Sequence, residues 1–160
     1  MSAHLPSAPL AWLGEGAERL RTIAEISSTV DLERRVADFR TLRTTAGPSV
    51  VDALDAVEDP LLGARVLVLR NEDGQSVALA EPSTEGRLAA ALARHGEAHV
   101  GTYLEAPFGL DVVRARAAAA NVPLSRVATG PFGRSVLVLP GTLTGQHLIL
   151  VERPAVPSPP

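Results

Sequence analysis

Gly63-Ala64-Arg65-Val66-Leu67-Val68-Leu69 is answered seventy residues later by Gly133-Arg134-Ser135-Val136-Leu137-Val138-Leu139. Gly74-Gln75-Ser76-Val77-Ala78-Leu79-Ala80-Glu81-Pro82 is answered by Gly145-Gln146-His147-Leu148-Ile149-Leu150-Val151-Glu152-Arg153-Pro154, the offset now seventy-one because one residue is added in the second turn. Each pair of runs reads as two strands joined by turn chemistry, Arg70-Asn71-Glu72-Asp73-Gly74-Gln75 in the first copy. Repetition on this scale is one supersecondary unit used twice, and paired units bury a shared surface able to hold a ligand.

The sequence around these hairpins repeats as well. Thr22 to Thr29 is rich in β-branched residues and reads as a strand, after which Asp31 caps a helix through about Leu42 with Leu32, Val36 and Phe39 on one face. Ser49 to Glu58 fits both a strand and a helix, with the strand favoured because the first hairpin comes next. Ser83-Thr84-Glu85 opens a helix that carries Leu88, Ala91 and Leu92 and stops at Gly96, with His95 as a helix-end cation. His99 to Glu105 is then a strand, Leu110 to about Asn121 a helix, and Leu124 to Ala128 a short strand before the second hairpin. Each unit reads strand, helix, strand, strand, strand. The organisation expected is an N-terminal extension over 1–21, a first βαβββ module over 22–82, a connecting helix and turn over 83–98, a second module over 99–154 and a disordered tail over 155–160. Trp12 is read as an anchor for the extension.

Composition narrows the function. With 160 residues the chain suits one domain, and its 46% hydrophobic content excludes wholesale disorder. Aromatics at 3% and a net charge of -3 argue against a nucleic-acid surface. There is no cysteine, hence no disulfide or thiolate chemistry, and no lysine, hence no Schiff base. No leader or membrane-spanning run is legible, so a cytoplasmic protein is expected.

A doubled βαβββ unit resembles the vicinal oxygen chelate superfamily, which includes glyoxalases, methylmalonyl-CoA epimerase, extradiol dioxygenases and antibiotic-resistance proteins. Ile23 to Leu32 followed by Phe39 is similar to that family's opening strand and helix start. Glu81-Pro82 with Leu88, Ala89 and Ala93-Arg94-His95-Gly96-Glu97 is similar to the inter-module stretch of methylmalonyl-CoA epimerase. The resemblance spans about Thr22 to Pro154. It implies an α+β single domain whose two modules form a curled mixed sheet around a cavity, with a divalent metal held by residues of the first and last strand of each module.

Residue by residue, those ligand positions fall on Ala24, Ala78, Val100 and Ile149, none of which can bind a metal. A one-residue slip would bring in Glu25 and His99, but Glu81 and Glu152 stand an odd number of residues from the last-strand sites and face the other way, toward solvent at the strand ends. The expectation is a protein without metal or other cofactor. Candidate acid–base groups are Glu25, His99, Tyr103 and His147. His147 shares the face of Ile149. On the strand from His99, either His99, Gly101 and Tyr103 face inward together, or Val100, Thr102 and Leu104 do. Arg65 and Arg134 are read as outward surface charges.

Two functional readings fit these residues. One is a metal-independent isomerase, lyase or cyclase acting on a small organic carbonyl compound in specialised, natural-product metabolism. The other is a non-catalytic module that binds or sequesters a small molecule, as a resistance protein does. A scaffold whose cavity is filled by its own side chains stays open as a third. Partners are a small-molecule ligand and a second copy in a homodimer, with no nucleic acid and no membrane.

Overall fold

The first strand, β1 (Arg21–Ser28), pairs with two neighbours that set the whole architecture: β5 (Ser76–Pro82) in parallel and β6 (His99–Ala106) antiparallel. The computed structural model describes residues 8–46, 52–53, 55–70, 76–140 and 146–152. Within them β1 leads into α1 (Leu32–Ala46), the short β2 (Asp52–Ala53) and β3 (Val57–Asp59), β4 (Ala64–Arg70) and β5. A helix α2 (Arg87–His95) connects to β6, followed by α3 (Leu110–Ala119), β7 (Ala128–Gly130), β8 (Gly133–Val138) and β9 (His147–Glu152). The sheet runs β2-β4-β5-β1-β6-β9-β8-β7, with β3 also on β4. With β2 and β3, which both pair with β4, counted as one position, it is two βαβββ units placed edge to edge across the β1–β6 seam. Its two ends curl together: a Cβ on Gly130 of β7 would come within 3.1 Å of Asp59 on β3.

Local chemistry explains the elements. Asp31 caps α1, its Oδ1 accepting from Arg34 N at 3.0 Å. Gly96 ends α2 at φ 72°, a conformation that suits glycine. No helix among the described residues is long and apolar enough to cross a membrane.

Three apolar clusters result. The concave face of the sheet gathers Ala24, Ile26, Val66, Val68, Ala78, Val100, Tyr103, Leu137, Ile149 and Val151, completed by Leu62 and by Leu88 of α2. On the outer face, α1 packs Leu32, Val36 and Phe39 over Leu69 and Leu79. In the second unit α3 and a 3-10 turn at Ala8–Leu13 cover Leu104, Val136, Val138 and Leu150. Trp12 packs against this last cluster, as an anchor should.

Several expectations are corrected. The hairpin repeat is in register at sixty-nine, not seventy, on its first strand: Val66 lies opposite Ala80, and the equivalent ladder sets Ser135 opposite Val151. Val68 and Leu137 thus share the concave face while Val136 turns outward, since a slip of one residue exchanges the faces of a strand. The strand expected at Leu124–Ala128 forms at Ala128–Gly130, and Leu124 makes a single bridge to Val138. Of the ambiguous stretch Ser49 to Glu58, β2 and the start of β3 are strand, while 49–51 and 54 lie outside the described residues. The second helix begins at Arg87, not Ser83, after Gly86. The β4–β5 turn at 71–75 and the tail at 155–160 also lie outside the described residues.

Glu81 and Glu152 are not solvated strand ends. Glu81 accepts from Leu32 N at 2.8 Å and pairs with Arg65 at 3.1 Å. Glu152 accepts from Leu110 N at 3.2 Å and pairs with Arg134 at 3.0 Å. In both units the last strand's glutamate satisfies the first orphan N–H of the module's helix, and the cross-strand arginine holds it there.

Glu97, in the turn after α2, clamps the start of α1. Its carboxylate accepts from the Thr29 hydroxyl, from Arg34 Nη2 at 2.7 Å and from Val30 N at 3.3 Å. The Thr29 hydroxyl first, then the Arg34 guanidinium, hold its carboxyl down at about 2 against an ordinary 4.5. A carboxyl depressed in the fold stabilises it above its ordinary range and loses that contribution as pH falls through the folded value. Glu97→Gln is expected to be less stable than the wild type at pH 6, with the gap closing between pH 4.5 and about 2; denaturant midpoints measured across that range check it.

Candidate functional site

The four positions that the resemblance assigns to metal ligands come together in space. Ala24, Ala78, Val100 and Ile149 are 1%, 0%, 3% and 0% exposed and belong to the one concave cluster. Their side chains hold no nitrogen, oxygen or sulfur, so this donor set does not fit a divalent metal.

Polar groups do lie on the concave face. Tyr103, fully buried, donates its hydroxyl to Asp59 Oδ2 at 2.5 Å, and its ring meets Phe132 edge to face at 4.9 Å. Asp59, also fully buried, accepts from Leu61 N at 2.9 Å through its other oxygen. Both oxygens are acceptors, the pattern of a carboxylate. Burial, then the Asp59 charge, push the Tyr103 phenol well above its ordinary range, so it stays protonated and acts as a donor. This contact ties β3 of the first unit to β6, the seam strand of the second.

His147, at the start of β9, is 1% exposed and shares the face of Ile149. Its Nδ1 lies 3.1 Å from the Val100 carbonyl, which can only accept. In the neutral ring the proton therefore sits on Nδ1 and Nε2 carries the lone pair. Gly101 makes the approach possible, because a Cβ there would collide with the His147 carbonyl.

Neither alternative for the parity of β6 holds in full. The β1–β6 ladder shifts register between Ile26, opposite Gly101, and Ser27, opposite His99. Val100 is the extra residue of a β-bulge, and the bulge resets the alternation. Val100 and Tyr103 both face the concave cluster, while Leu104 lies in the outer one. His99 and Thr102 turn to the outer face with Glu25. Glu25 Oε2 takes His99 Nε2 at 2.5 Å and the Thr102 hydroxyl at 3.0 Å. The Glu25 and His99 side chains are 42% and 48% exposed. Of the four candidate groups, then, the structure brings Tyr103 and His147 to the concave face and Glu25 and His99 together on the outer one. Asp59 is not a candidate that the sequence suggests. It lies in an Asp-Pro pair that reads as a turn, and no repeat partner marks it.

Where a cavity is expected, the concave face is filled by Leu62, Leu88, Leu137 and Tyr103. An open cavity of about 390 Å³ lies elsewhere, between the N-terminal segment (Trp12 to Glu15) and the end of α3 (Arg116, Ala119, Ala120). Arg116 spans it, donating to the carbonyls of Leu13 and Glu15 and stacking on Phe108 at 4.7 Å.

No protein-family model matches the chain. No curated protein matches it in sequence. Solved structures do match in fold. A variant of Streptomyces coelicolor methylmalonyl-CoA epimerase in complex with 2-nitronate-propionyl-CoA is 23% identical, with TM-score 0.64 over 87% of this chain and 98% of that one. Methylmalonyl-CoA epimerase from Mycobacterium tuberculosis is 17% identical, with TM-score 0.67 over 83% and 87%. A hypothetical protein from Bacillus halodurans is 14% identical, with TM-score 0.63 over 88% and 99%. At these identities the likeness is one of fold.

Proposed function

We propose that this chain, which has the vicinal oxygen chelate fold, acts on a small organic carbonyl compound as an isomerase-type enzyme that uses its own side chains where relatives of the fold use a metal. The observation that carries the reading is the buried Asp59–Tyr103–His147 set on the concave face, among the four aliphatic ligand positions. A buried carboxylate and imidazole are costly to keep in an apolar interior, and such groups cluster at functional sites. Asp59 orients the Tyr103 hydroxyl and keeps it protonated. Tyr103 offers that O–H to the oxygen of a carbonyl as an enolate develops, the role of an oxyanion donor. His147 Nε2 takes the proton from the adjacent carbon and returns it. The substrate reaches these groups by displacing Leu62 or Leu88. The epimerase neighbours share the fold and one of them holds a CoA ligand, which supports a small-molecule ligand for this chain.

A second reading, a module that binds such a compound and leaves it unchanged, is favoured by the aliphatic side chains at the four ligand positions. Hydrogen–deuterium exchange at the carbon next to the carbonyl separates the two. Purified protein in D2O is offered a panel of ketones, esters and thioesters and followed by NMR. Exchange by the wild type that drops at least a hundredfold in His147→Ala and in Tyr103→Phe is the expected result. Binding without exchange across the panel would leave the second reading.

A further inference from the structure

The charge inside the concave face restricts what can enter it. Among the described residues Asp59 is the one buried acidic group, and no arginine is buried. The chain has no lysine. Two arginines on strands of the sheet are engaged on the outer face, Arg65 with Glu33 and Glu81, and Arg134 with Glu152. Both Asp59 oxygens accept hydrogen bonds, from Tyr103 at 2.5 Å and Leu61 at 2.9 Å, which is how an ionised carboxylate is held. The cluster that contains Tyr103 is otherwise aliphatic apart from the Phe132 ring packed against it.

We infer that Asp59 is a specificity-determining residue and that the interior selects uncharged carbonyl compounds, esters and ketones, against carboxylates. An anionic substrate would be brought beside the Asp59 charge in a medium of low dielectric, with no buried arginine or lysine among the described residues to offset either charge. A neutral carbonyl needs only the Tyr103 hydroxyl and aliphatic contact. This rests on the proposal that ligands bind at the concave face; it does not require that they be turned over.

The test uses matched pairs: methyl pyruvate against pyruvate, and methyl 3-oxobutanoate against 3-oxobutanoate. Binding is read by ligand-observed NMR titration of the full chain, and exchange in D2O is read in the same samples. The expected result is that each ester binds at least tenfold more tightly than its acid. In Asp59→Asn, which removes the charge and keeps one of the two acceptor oxygens, that ratio is expected to fall at least threefold. Equal or tighter binding of the acids by the wild type overturns the inference, whether or not the variant folds. An unchanged ratio in a folded Asp59→Asn overturns the assignment to Asp59. Ester binding without exchange overturns the catalytic reading and leaves the selectivity standing, whereas failure of every probe to bind overturns both.

Discussion

Ala78→Glu is expected to destabilise the protein by about 4 kcal/mol or more, because it places a carboxylate in the concave cluster, where no arginine or lysine is buried among the described residues. Ala78 is fully buried, opposite Ile26 on β1 and Val68 on β4. It shares its cluster with Ala24, Val100 and Ile149. The added side-chain volume contributes a further ~1–3 kcal/mol of overpacking. In a domain of this size the charge term alone lowers the melting temperature by roughly 8–16 °C. Thermal unfolding followed by circular dichroism measures it. A neutral effect, or a loss that zinc or manganese restores, would mean that this position still faces a space built for a ligand.

Tyr103→Phe is expected to cost about 1–3 kcal/mol, toward the upper end because the acceptor is a buried carboxylate. The ring, its contact with Phe132 and its place in the cluster are kept, so the loss reports the hydrogen bond to Asp59. Asp59→Asn removes the charge but keeps an acceptor, and in that background the same change is expected to cost about 1 kcal/mol or less. Denaturant midpoints of the four proteins close a double-mutant cycle, and a coupling energy near zero would remove Asp59 as the partner that holds the phenol.

Both results depend on which side chains face inward, and that is only partly legible in the sequence. The doubled unit is plain, because apolar runs bounded by turns recur in the same order. So is the Asp31 cap, a local signal. The aliphatic character of Ala24, Ala78, Val100 and Ile149 can be read directly, and their burial in one cluster results from the pairing of β1, β5, β6 and β9.

The parity of β6 is not legible, because the bulge at Val100 arises from how two strands meet. It splits Tyr103 from His99, which strict alternation puts together. The register of sixty-nine is hidden by the likeness of Val66-Leu67-Val68 to Val136-Leu137-Val138, which aligns better by letter than by face. The charges carry the clue. Arg65 with Glu81 and Arg134 with Glu152 are pairs repeated across the two units, and aligning them gives the register that the structure has. Asp59 has no such marker. Its partner is 44 residues away on another unit, and only the curl of the sheet brings the two together.

The most direct test is a metal titration. Protein purified without chelators is analysed for Zn, Ni, Mn and Fe, and each ion is then offered back while the melting temperature is followed. Less than a tenth of an equivalent of any metal, with no ion raising the melting temperature, is expected from four positions occupied by alanine, valine and isoleucine. One equivalent of a metal per chain, with a rise in melting temperature that a chelator reverses, would contradict the aliphatic reading of this interior.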